Sequence, residues 1–327
     1  MNKFLVTGVA GLIGSHIADE LLKKGYSVVG IDNFMYGTID NIAHNIKNDK
    51  FTFVEGDVCD LDVLMDVSNG CDGIFHMAAV KKVGEHQSAF DTLKVNTLGT
   101  ENVLKVAKEK DAKLVFASTS DVYGMSPDLP FREDGDLLLG PSYYRRWSYS
   151  VSKLFDEHNA FTYAKDFGVK LVVLRYFGTF SPRSSFLWSG GHIPIFINKI
   201  LNDELISVHG DGTQTRSMAH VSDVVRGTIA AMESKEAEGE IINIGSEEEM
   251  SIVDTAYLIH EMMETGKELK IEFVPFDEIF GKGYKDIMKR RPDLSKAKRI
   301  LGYEPTIKFK DAIQMTIDTV KGKATHE

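Results

Sequence analysis

The stretch VTGVAGLIGSHIADELLKKG, residues 6–25, decides the fold. Gly8, Gly11 and Gly14 fall between an apolar run and an amphipathic pattern, which indicate a strand followed by a helix. Glycines at this junction allow a tight turn and let a pyrophosphate approach the helix N-terminus, where free N–H groups and the helix dipole favour anions. The spacing GxxGxxG is a variant of the dinucleotide-binding GxGxxG, and it occurs in the strand–helix context that this motif requires.

Around this stretch, short β-branched and aromatic runs alternate with longer helical patterns, for example at residues 12–24 and 95–109. The runs are almost continuously apolar, as expected for parallel strands that are buried on both faces. The alternation predicts an α/β fold with a doubly wound parallel sheet of the Rossmann type. The predicted strands are residues 3–8, 26–32, 51–57, 73–78, 113–119 and 170–176.

The second half of the chain has a different pattern, because the alternation ends near residue 177 and a segment rich in Gly, Ser and Pro follows. We expect residues 1–177 to form the dinucleotide-binding domain and residues 178–327 to form a smaller C-terminal α/β lobe for the substrate. Residues 206–245 are expected to return in part to the first domain. The predicted elements of this half are helices at 193–203, 221–233 and 251–264 and strands at 205–209, 240–246 and 270–275.

The composition limits the classes of protein to which the chain can belong. A net charge of -10 over 327 residues argues against nucleic acid or an anionic membrane as a general partner, although locally placed arginines can still hold a small anion. Cys59 and Cys71 form no disulfide framework and are expected to be free thiols in a reducing cytoplasm. The N-terminus enters a strand without a signal peptide, and no apolar run is long enough to span a membrane. A cytoplasmic protein is therefore predicted.

Asp32 stands at the tip of the second predicted strand, in the region where a dinucleotide-binding fold carries an acidic residue. Its carboxylate can accept hydrogen bonds from the adenosine ribose 2′-OH and would repel a 2′-phosphate, so NAD is favoured over NADP. The alternative is a solvated aspartate that caps a strand end. Asp57 ends the third predicted strand on the same edge of the sheet, and it either reaches the adenine or is a plain loop aspartate.

The segment YSVSK carries a candidate acid/base pair. Tyr149 and Lys153 share one face of a predicted helix, where an ammonium favours the phenolate and lowers the pKa of the tyrosine. A phenolate beside a substrate hydroxyl can remove its proton while hydride leaves for NAD. Taken alone, the pair can also be two ordinary residues of a helix surface. Upstream, ASTSDVYG puts Thr119, Ser120 and Asp121 at the carboxyl end of the fifth strand, where open α/β sheets bind ligands.

Several motifs, in the same order along the chain, resemble those of one family. TGVAGLIG, the acidic residue after the second strand, HMAA (76–79), VNTLGTENVL (95–104), STSDVYG and YSVSK are similar to motifs of the extended short-chain dehydrogenase/reductase superfamily. Within it, the chain resembles the NAD-dependent nucleotide-sugar epimerase/dehydratase branch. GDGTQTRSMAHVSDVV (210–225) and RRPDLSKAKRILGYEP (290–305) are close to signatures of the same branch, so the resemblance covers nearly the whole chain.

The resemblance implies roles for individual residues. Tyr149 is the acid/base, Lys153 orients the nicotinamide ribose and tunes Tyr149, and Thr119 hydrogen bonds the sugar hydroxyl that is oxidised. Asn96 belongs to a supporting network near the cofactor, and Arg216 would meet the pyrophosphate of the nucleotide. The implied cofactor contacts are Gly8, Gly11, Leu12, Ile13, Gly14, Asp32, Asn33, Asp57, Val58, Ala78, Ala79, Asn96, Tyr149, Lys153 and Tyr176.

The substrate is implied to be a nucleotide sugar, with a UDP-sugar favoured. Arg290 or Arg291 would close over it from the second lobe, unless this pair is a solvated basic turn. Gly178 replaces the asparagine that the family uses near the sugar phosphate, so that contact must be remade. The loop HMAAVKKVGEHQ carries charges that suggest an acidic sugar or are simply solvated. The implied substrate contacts are Lys81, Lys82, Gly178, His192, Arg216, Arg290 and Arg291, with Glu85 and His86 in the same loop as the two lysines.

In the branch that the chain resembles, NAD oxidises the sugar at C4, so the resemblance implies a reaction that depends on the fate of the 4-keto sugar. A 4,6-dehydratase places adjacent Asp and Glu after the threonine, whereas this chain has Ser120 and Asp121, with a single carboxylate. UDP-glucuronate decarboxylases resemble the chain in the segment TSDVYG, in RRWSYSVSK and in RRPD. At the position of Asp121, however, they carry Glu. A 4-epimerase makes no firm demand there. We therefore predict a 4-epimerase first and a UDP-hexuronate decarboxylase next, with a net 4-dehydrogenase or a 4,6-dehydratase as further alternatives.

The alternative from another class is a dinucleotide-sensing protein that performs no turnover. Such a protein would not need an intact set of Thr119, Tyr149 and Lys153, so an enzyme is favoured. The family resemblance also implies a homodimer, formed through helices near 95–109 and 149–166.

Ten histidines raise the question of a metal site. The segment HEMME (260–264) resembles the start of a zinc-protease helix, but Glu264 stands where the second metal-binding histidine would be. The surrounding pattern is that of an amphipathic helix, so a structural role is favoured and no metal is predicted.

Overall fold

The computed structural model describes residues 2–81, 88–184 and 191–324. Its centre is a seven-stranded sheet in which every neighbouring pair is parallel. From one edge to the other, the strands are β10 (Glu240–Ile244), β6 (Leu171–Tyr176), β5 (Lys113–Thr119), β4 (Gly73–His76), β1 (Lys3–Thr7), β2 (Ser27–Asp32) and β3 (Phe51–Glu55). The chain winds outward from β1 in both directions, which confirms the predicted doubly wound sheet. Ligands of such sheets bind at the carboxyl edge where the winding reverses.

Helices cover both faces of this sheet. They are α1 (Leu12–Lys23) and α6 (Val221–Glu233) on one face, and α2 (Leu61–Val67), α3 (Ala89–Glu109) and α4 (Ser148–Phe167) on the other. Successive strand residues point to opposite faces, so Val115 joins the core under α1 and α6, while Leu114 and Phe116 join the core under α3 and α4. Both faces are buried, which explains why the strands are continuously apolar.

Local signals set where the helices begin and end. The Ser88 side chain accepts a hydrogen bond from the Phe90 amide and caps α3, so this helix begins at residue 89 instead of the predicted 95. Gly168, at a φ of 74°, ends α4 in the left-handed conformation that glycine adopts without strain. The predictions of a strand at 113–119 and a helix at 221–233 are confirmed.

The C-terminal half adds a second, smaller core. Its strands form a three-stranded sheet in the order β11-β9-β7, with β7 (Gly178–Phe180), β9 (Thr215–His220) and β11 (Glu249–Ser251), and a parallel pair of β8 (Ile206–His209) and β12 (Ile271–Val274). Its helices are α5 (His192–Leu201), α7 (Ile252–Met263), α8 (Phe276–Phe280), α9 (Ser295–Leu301) and α10 (Phe309–Ala324). Apolar side chains of α5, α7 and α10 share this core. Across the three described ranges, no helix is both long enough and apolar enough to cross a membrane.

Candidate active site

A cavity of about 730 Å³ opens at the carboxyl edge of the large sheet. The turn between Gly8 and Gly14, here called the glycine turn, forms one part of its wall. Thr119, Asp121 and Tyr149 surround another part, here called the sugar end, and loops and helices of the second lobe complete the wall. The predicted dinucleotide turn and the predicted chemistry therefore share one cavity.

The glycine turn has the shape that a dinucleotide requires. Gly8 has a φ of 66°, and a Cβ atom there would lie 2.8 Å from the Ala78 backbone nitrogen. A Cβ on Gly14 would collide with the Gly8 carbonyl oxygen, so the helix can pack this closely only on glycine. Gly11 begins α1 without a side-chain cap, which leaves the first helical amides available for phosphate. Leu12 and Ile13 line the same part of the cavity.

Asp32 ends β2 as predicted and is 9% exposed. Its Oδ2 accepts a hydrogen bond from the Ala10 amide (2.9 Å), and its Oδ1 accepts one from the Phe34 amide (2.8 Å). Burial raises the pKa of Asp32, and these backbone hydrogen bonds act against that shift. The carboxylate therefore also fixes the glycine turn, a role that the sequence analysis did not assign to it.

Asn33, Asp57 and Val58 lie beyond the cavity wall described above. Asn33 Nδ2 donates to Asp57 Oδ2 (3.1 Å), and Asp57 Oδ1 accepts from the Cys59 amide (2.8 Å). Asp57 follows the end of β3 by two residues instead of ending the strand itself. Val58 is buried against Gly99 of α3. A contact between these residues and the adenine stays a prediction.

Tyr149 and Lys153 lie on the first two turns of α4 and face the end of β5. Thr119 hydrogen bonds to Tyr149, and both residues line the cavity. Burial raises the pKa of Tyr149 and Asp121 adds to this shift, while the hydrogen bond with Thr119 opposes it. The sequence-based expectation was that neighbouring protein groups lower the pKa of Tyr149. It is wrong, because burial raises this pKa by more than the neighbouring groups lower it. Burial also lowers the pKa of Lys153 to about 8.

Asn96 connects the segment after β4 to α4 through three hydrogen bonds. Its Oδ1 accepts from the Val80 amide (2.8 Å), and its Nδ2 donates to the Val80 carbonyl (3.0 Å) and to Ser152 Oγ (2.9 Å). The segment after β4, which includes Ala78 and Ala79, is thereby attached to α4. Ala79 lines the cavity, and the Ala78 amide donates to a threonine of β1.

Asp121 is fully buried and surrounded by cations. Lys81 Nζ lies 2.9 Å from Oδ2, Arg146 Nη2 donates to Oδ1 (3.0 Å), and Arg290 Nη1 donates to the same Oδ1. Burial opposes ionisation, but these three cations hold the pKa of Asp121 well below its usual range. An ionised Asp121 has no proton to give, so it acts by its charge. Lys81 also lies 5.1 Å from the centre of the Tyr149 ring.

The arginines of the second lobe divide into those that face the cavity and one that does not. Arg216 lines the cavity and donates to Asp286 Oδ2 (2.9 Å). Arg290 lines it as well and reaches the buried carboxylate described above. Arg291 lies outside the wall, and its carbonyl accepts from the Phe131 amide (2.8 Å). Of the predicted pair, Arg290 is therefore the one placed at the site.

Gly178 begins β7 in the cavity wall. A Cβ atom at this position would collide with Met218 Sδ and would lie 2.7 Å from the Ser217 carbonyl oxygen. Met218 therefore occupies the space that a larger side chain would need. Residue 178 therefore offers the substrate no side chain, and the Met218 thioether lies beside it in the cavity wall.

Three further predicted residues, His192, Tyr176 and Ser120, also line the cavity. His192 begins α5, with its ring centre 5.6 Å from that of Phe196. Burial, followed by the nearby arginines, lowers the pKa of His192 to about 3, so the ring is neutral. Tyr176 Oη forms a hydrogen bond with Thr228 (2.8 Å), and Tyr176 lines the cavity wall. Ser120 is buried and lines the sugar end.

The wall is more basic than the chain as a whole. Its basic side chains outnumber its acidic ones, although the chain carries a net charge of -10. An anionic ligand is therefore favoured at this place. Within the described ranges, no group of three or more His, Cys, Asp or Glu residues could hold a metal ion. The basic residues of the wall are Lys81, Arg146, Arg183, Arg216 and Arg290, and the acidic ones are Asp40, Asp121 and Asp286.

Four of these residues received no role in the sequence analysis, namely Asp40, Arg146, Arg183 and Asp286. Arg146 precedes Tyr149 by three residues, and this helical spacing was the available signal. Arg183 Nη2 donates to Asp19 Oδ2 of α1 (2.7 Å) and so ties the second lobe to the first helix. No local sequence pattern indicates a role for Asp286, because its partner Arg216 is distant in the sequence. The predicted loop residues Lys82, Glu85 and His86, and residues 185–190 of the predicted substrate-facing loop, lie outside the described ranges.

The chain is similar to known proteins over nearly its whole length. A UDP-N-acetyl-alpha-D-glucosaminuronate decarboxylase from Bacillus cytotoxicus is 38% identical over 317 residues, covering 97% of both chains. UDP-glucuronic acid decarboxylase 1 from Xenopus tropicalis is 34% identical over 330 residues, covering 100% of this chain and 74% of the relative. The solved structure of UDP-glucuronic acid 4-epimerase from Bacillus cereus, with UDP-glucuronic acid and NAD, has a TM-score of 0.87 and 32% identity, covering 98% and 99% of the two chains.

The cofactor follows from the turn and from this solved relative together. The epimerase holds NAD, and the glycine turn here leaves the space and the free amides that a dinucleotide needs. NAD is therefore the cofactor. The family described as GDP-mannose 4,6 dehydratase matches residues 5–316, which is nearly the whole chain. The suspected resemblance is thereby confirmed, and the chain belongs to this family of extended short-chain dehydrogenases/reductases.

Proposed function

We propose that this protein oxidises C4 of a UDP-linked hexuronate and then releases the sugar carboxyl group as carbon dioxide. The observation that carries this proposal is the cluster of Lys81, Arg146 and Arg290 around Asp121, beside Tyr149. Three cations share one protein carboxylate, so the sugar end has an excess of positive charge. An acidic sugar matches this charge better than a neutral sugar does.

The first step is oxidation at the C4 hydroxyl. Tyr149 accepts the hydroxyl proton at its phenolate oxygen, and Thr119 holds the same sugar oxygen through its own hydroxyl. A charged Lys153, one helical turn further on, favours the ionised phenol. When bound, NAD supplies the hydride acceptor for this step and the hydride donor for the last one.

The second step uses the β-keto acid that oxidation creates. The carboxyl carbon is attached to C5, next to the C4 ketone, so the bond between C5 and the carboxyl carbon can break with its electron pair moving to the C4 oxygen. Tyr149 and Thr119 hydrogen bond to that developing oxyanion. A proton from solvent then adds to C5. As the C4 ketone is reduced, Tyr149 returns its proton to the C4 oxygen, which completes a UDP-pentose. The net reaction consumes one proton and leaves the cofactor unchanged.

Asp121 has an electrostatic part in this scheme. Arg146 and Arg290 attract the substrate carboxylate, while the ionised Asp121 stands among the same cations and repels it. This repulsion ends when the carboxylate leaves as neutral carbon dioxide, so the arrangement favours departure over retention.

The named relatives support this choice. Two of the proteins compared above are decarboxylases of UDP-linked uronic acids by name, one of them 38% identical to this chain. The sequence motifs put 4-epimerisation first because it makes no demand at Asp121. The cation cluster favours an acidic sugar over a neutral one, and together with these relatives it puts decarboxylation of a hexuronate ahead of the 4-epimerisation that the motifs predicted.

Epimerisation at C4 of a hexuronate is the second candidate. The observation that favours it is the similarity to the UDP-glucuronic acid 4-epimerase, with a TM-score of 0.87. The two reactions share the oxidation step and differ in whether the ketone keeps its carboxylate. A net 4-dehydrogenase, a 4,6-dehydratase and a dinucleotide sensor then become outcomes of the same experiment.

The test is a product analysis with matched substrates. The purified protein is incubated with NAD and with UDP-glucuronate or UDP-N-acetylglucosaminuronate, and with UDP-glucose and UDP-N-acetylglucosamine as neutral counterparts. We expect loss of carbon dioxide from an acidic substrate, seen by mass and NMR, and no turnover of the neutral ones. Unchanged mass with inverted C4 would establish the epimerase instead, and build-up of reduced NAD would establish the dehydrogenase. Loss of water from a neutral substrate would establish the dehydratase, and no turnover of any substrate would favour the sensor.

We also propose that the protein is a homodimer. Val151 and Phe155 of α4 are 45% and 55% exposed, and Phe90 and Leu93 of α3 are exposed as well. The two helices pack against each other, so they present these apolar side chains on neighbouring surfaces. Burial of this surface against a second copy would remove it from water.

A further inference from the structure

Asp156 is a buried carboxylate for which the proposed reaction has no use. It lies three residues after Lys153 on α4, and the two side chains are fully buried. Within the described part of the chain, Lys153 Nζ and Asp156 Oδ1 have no hydrogen-bond partner. A carboxylate in such a place costs folding free energy unless something requires its charge.

A chain of hydrogen bonds ends on this carboxylate. Thr100 Oγ1 donates to Asp156 Oδ2 (3.1 Å) and lies 3.2 Å from His76 Nε2. His76 Nδ1 lies 2.8 Å from Thr7 Oγ1, which accepts from the Ala78 amide (3.2 Å). The chain therefore runs from the end of β1, beside the glycine turn, through β4 and α3 to α4.

The direction of each bond in this chain is determined. Thr100 gives its only hydroxyl hydrogen to Asp156, so it must accept from His76 Nε2. His76 Nδ1 is then an acceptor and takes the hydroxyl hydrogen of Thr7. Burial, with a smaller effect of Lys153, lowers the pKa of His76 to about 3, which agrees with a neutral ring. The whole chain is arranged to donate toward a carboxylate at residue 156.

Among the charged groups near Lys153, Asp156 raises the pKa of the lysine the most. Lys153 Nζ lies 4.6 Å from the centre of the Phe116 ring, and His76 stacks on Phe116 at 5.9 Å. Burial lowers the pKa of Lys153, and two charged groups act against this shift. Asp156 has the larger effect and Glu157 the smaller one. Glu157 already accepts from Arg175 Nη2 (2.7 Å) on β6 and from a serine of β5, so Asp156 is the carboxylate left for the lysine.

We propose that Asp156 is a positioning residue that keeps Lys153 charged and thereby sets the pH range in which Tyr149 exchanges the proton of the sugar hydroxyl. This inference rests on the acid/base role of Tyr149 in the proposed function. Burial raises the pKa of Asp156 to about 7 and lowers that of Lys153 to about 8, so both groups change charge close to neutral pH. The charge of Asp156 raises the pKa of Tyr149 as well as the pKa of Lys153.

Asp156→Asn is the test, because the amide oxygen can still accept from Thr100 while the charge is lost. Without that charge the pKa of Lys153 falls, so we expect the alkaline limb of the kcat/KM profile to move about one pH unit lower. The exposed Asp166 on the same helix gives the control variant Asp166→Asn, whose profile should match that of the wild type. The substrate is whichever nucleotide sugar the wild-type enzyme oxidises.

A second readout needs no substrate. Because the folded-state pKa of Asp156 lies above its unfolded value, the stability that this group contributes is complete below the unfolded pKa and is lost as the pH rises through about 7. Asp156→Asn removes this loss, so the Tm difference between variant and wild type should grow between about pH 4 and pH 7 and change little above that range. This result stands even if the enzyme proves not to be a decarboxylase.

Superimposable profiles together with a Tm difference that is independent of pH would overturn the proposal. A uniform loss of rate at every pH, without a shift, would show that the role is merely structural and would overturn it too. If Asp156→Asn does not fold, Thr100→Val removes the hydroxyl that supports the carboxylate. The alkaline limb should then move in the same direction by a smaller amount, and an unmoved limb would contradict the inference.

Discussion

The charge state of the sugar end depends on a single residue, Asp121, because it is the carboxylate that three cations share. The sequence could place Asp121 at the carboxyl end of β5, since strand ends are visible as the end of an apolar run. It could not show that Lys81, Arg146 and Arg290 converge there, because these residues come from three separate segments. The expected lowering of the Tyr149 pKa was wrong for a similar reason: burial is a property of the packed molecule.

Arg146 tests this view of the carboxylate. In Arg146→Met the buried Asp121 loses one of its three cations, so we expect the free energy of unfolding at pH 7 to fall by about 3 kcal/mol. The KM for an acidic sugar nucleotide should also rise, because a cation of the sugar end is lost. Denaturant unfolding and steady-state kinetics measure the two effects.

The pH dependence of this variant has a definite sign. The pKa of Asp121 is depressed in the folded protein, so its contribution to stability is present above the unfolded value of about 4 and is lost as the pH falls through the folded value. The difference in the free energy of unfolding between Arg146→Met and the wild type should therefore become smaller at acid pH. The control is Arg132→Met, which breaks the exposed pair with Asp134 and should leave unfolding unchanged. Equal effects of the two variants would contradict the account.

At the scale of elements, β5 and α6 were predicted with correct bounds because their patterns are local. The start of α3 was missed because the Ser88 cap lies outside the apolar pattern that indicated the helix. The network of Asp156 was also out of reach, since it depends on how α4 packs against α3 and β4. Local patterns thus give elements, whereas contacts between elements require the fold.

The α3 and α4 pair carries the prediction about assembly. Phe155→Glu places a charge on the exposed apolar surface of α4, so we expect a protein that sediments as a dimer to become a monomer. Tyr257→Glu introduces the same charge at another exposed aromatic residue, on α7, and should leave the assembly unchanged. A wild-type protein that sediments as a monomer, or a dimer that tolerates Phe155→Glu, would refute the proposed interface.

For the molecule as a whole, the main feature is a basic cavity inside an acidic protein. The chain as a whole carries a net charge of -10, whereas the wall of the cavity gathers arginines from both halves of the chain. Arg216 and Arg290 reach it only because the second lobe folds back over the carboxyl edge of the sheet. Sequence motifs could therefore predict the cofactor, whereas the charges of HMAAVKKVGEHQ left an acidic sugar as one of two interpretations. The cation cluster that favours an acidic sugar depends on the assembled cavity.

The central claim is that the sugar carboxylate leaves after C4 is oxidised. The most direct measurement uses a UDP-hexuronate labelled at the carboxyl carbon, incubated with the enzyme and NAD, with the headspace and the nucleotide product analysed together. The account predicts labelled carbon dioxide and an unlabelled UDP-pentose from the wild-type enzyme, and neither from Tyr149→Phe. Label that stays in the nucleotide sugar while C4 inverts, or a labelled 4-keto sugar that accumulates with reduced NAD, would contradict it.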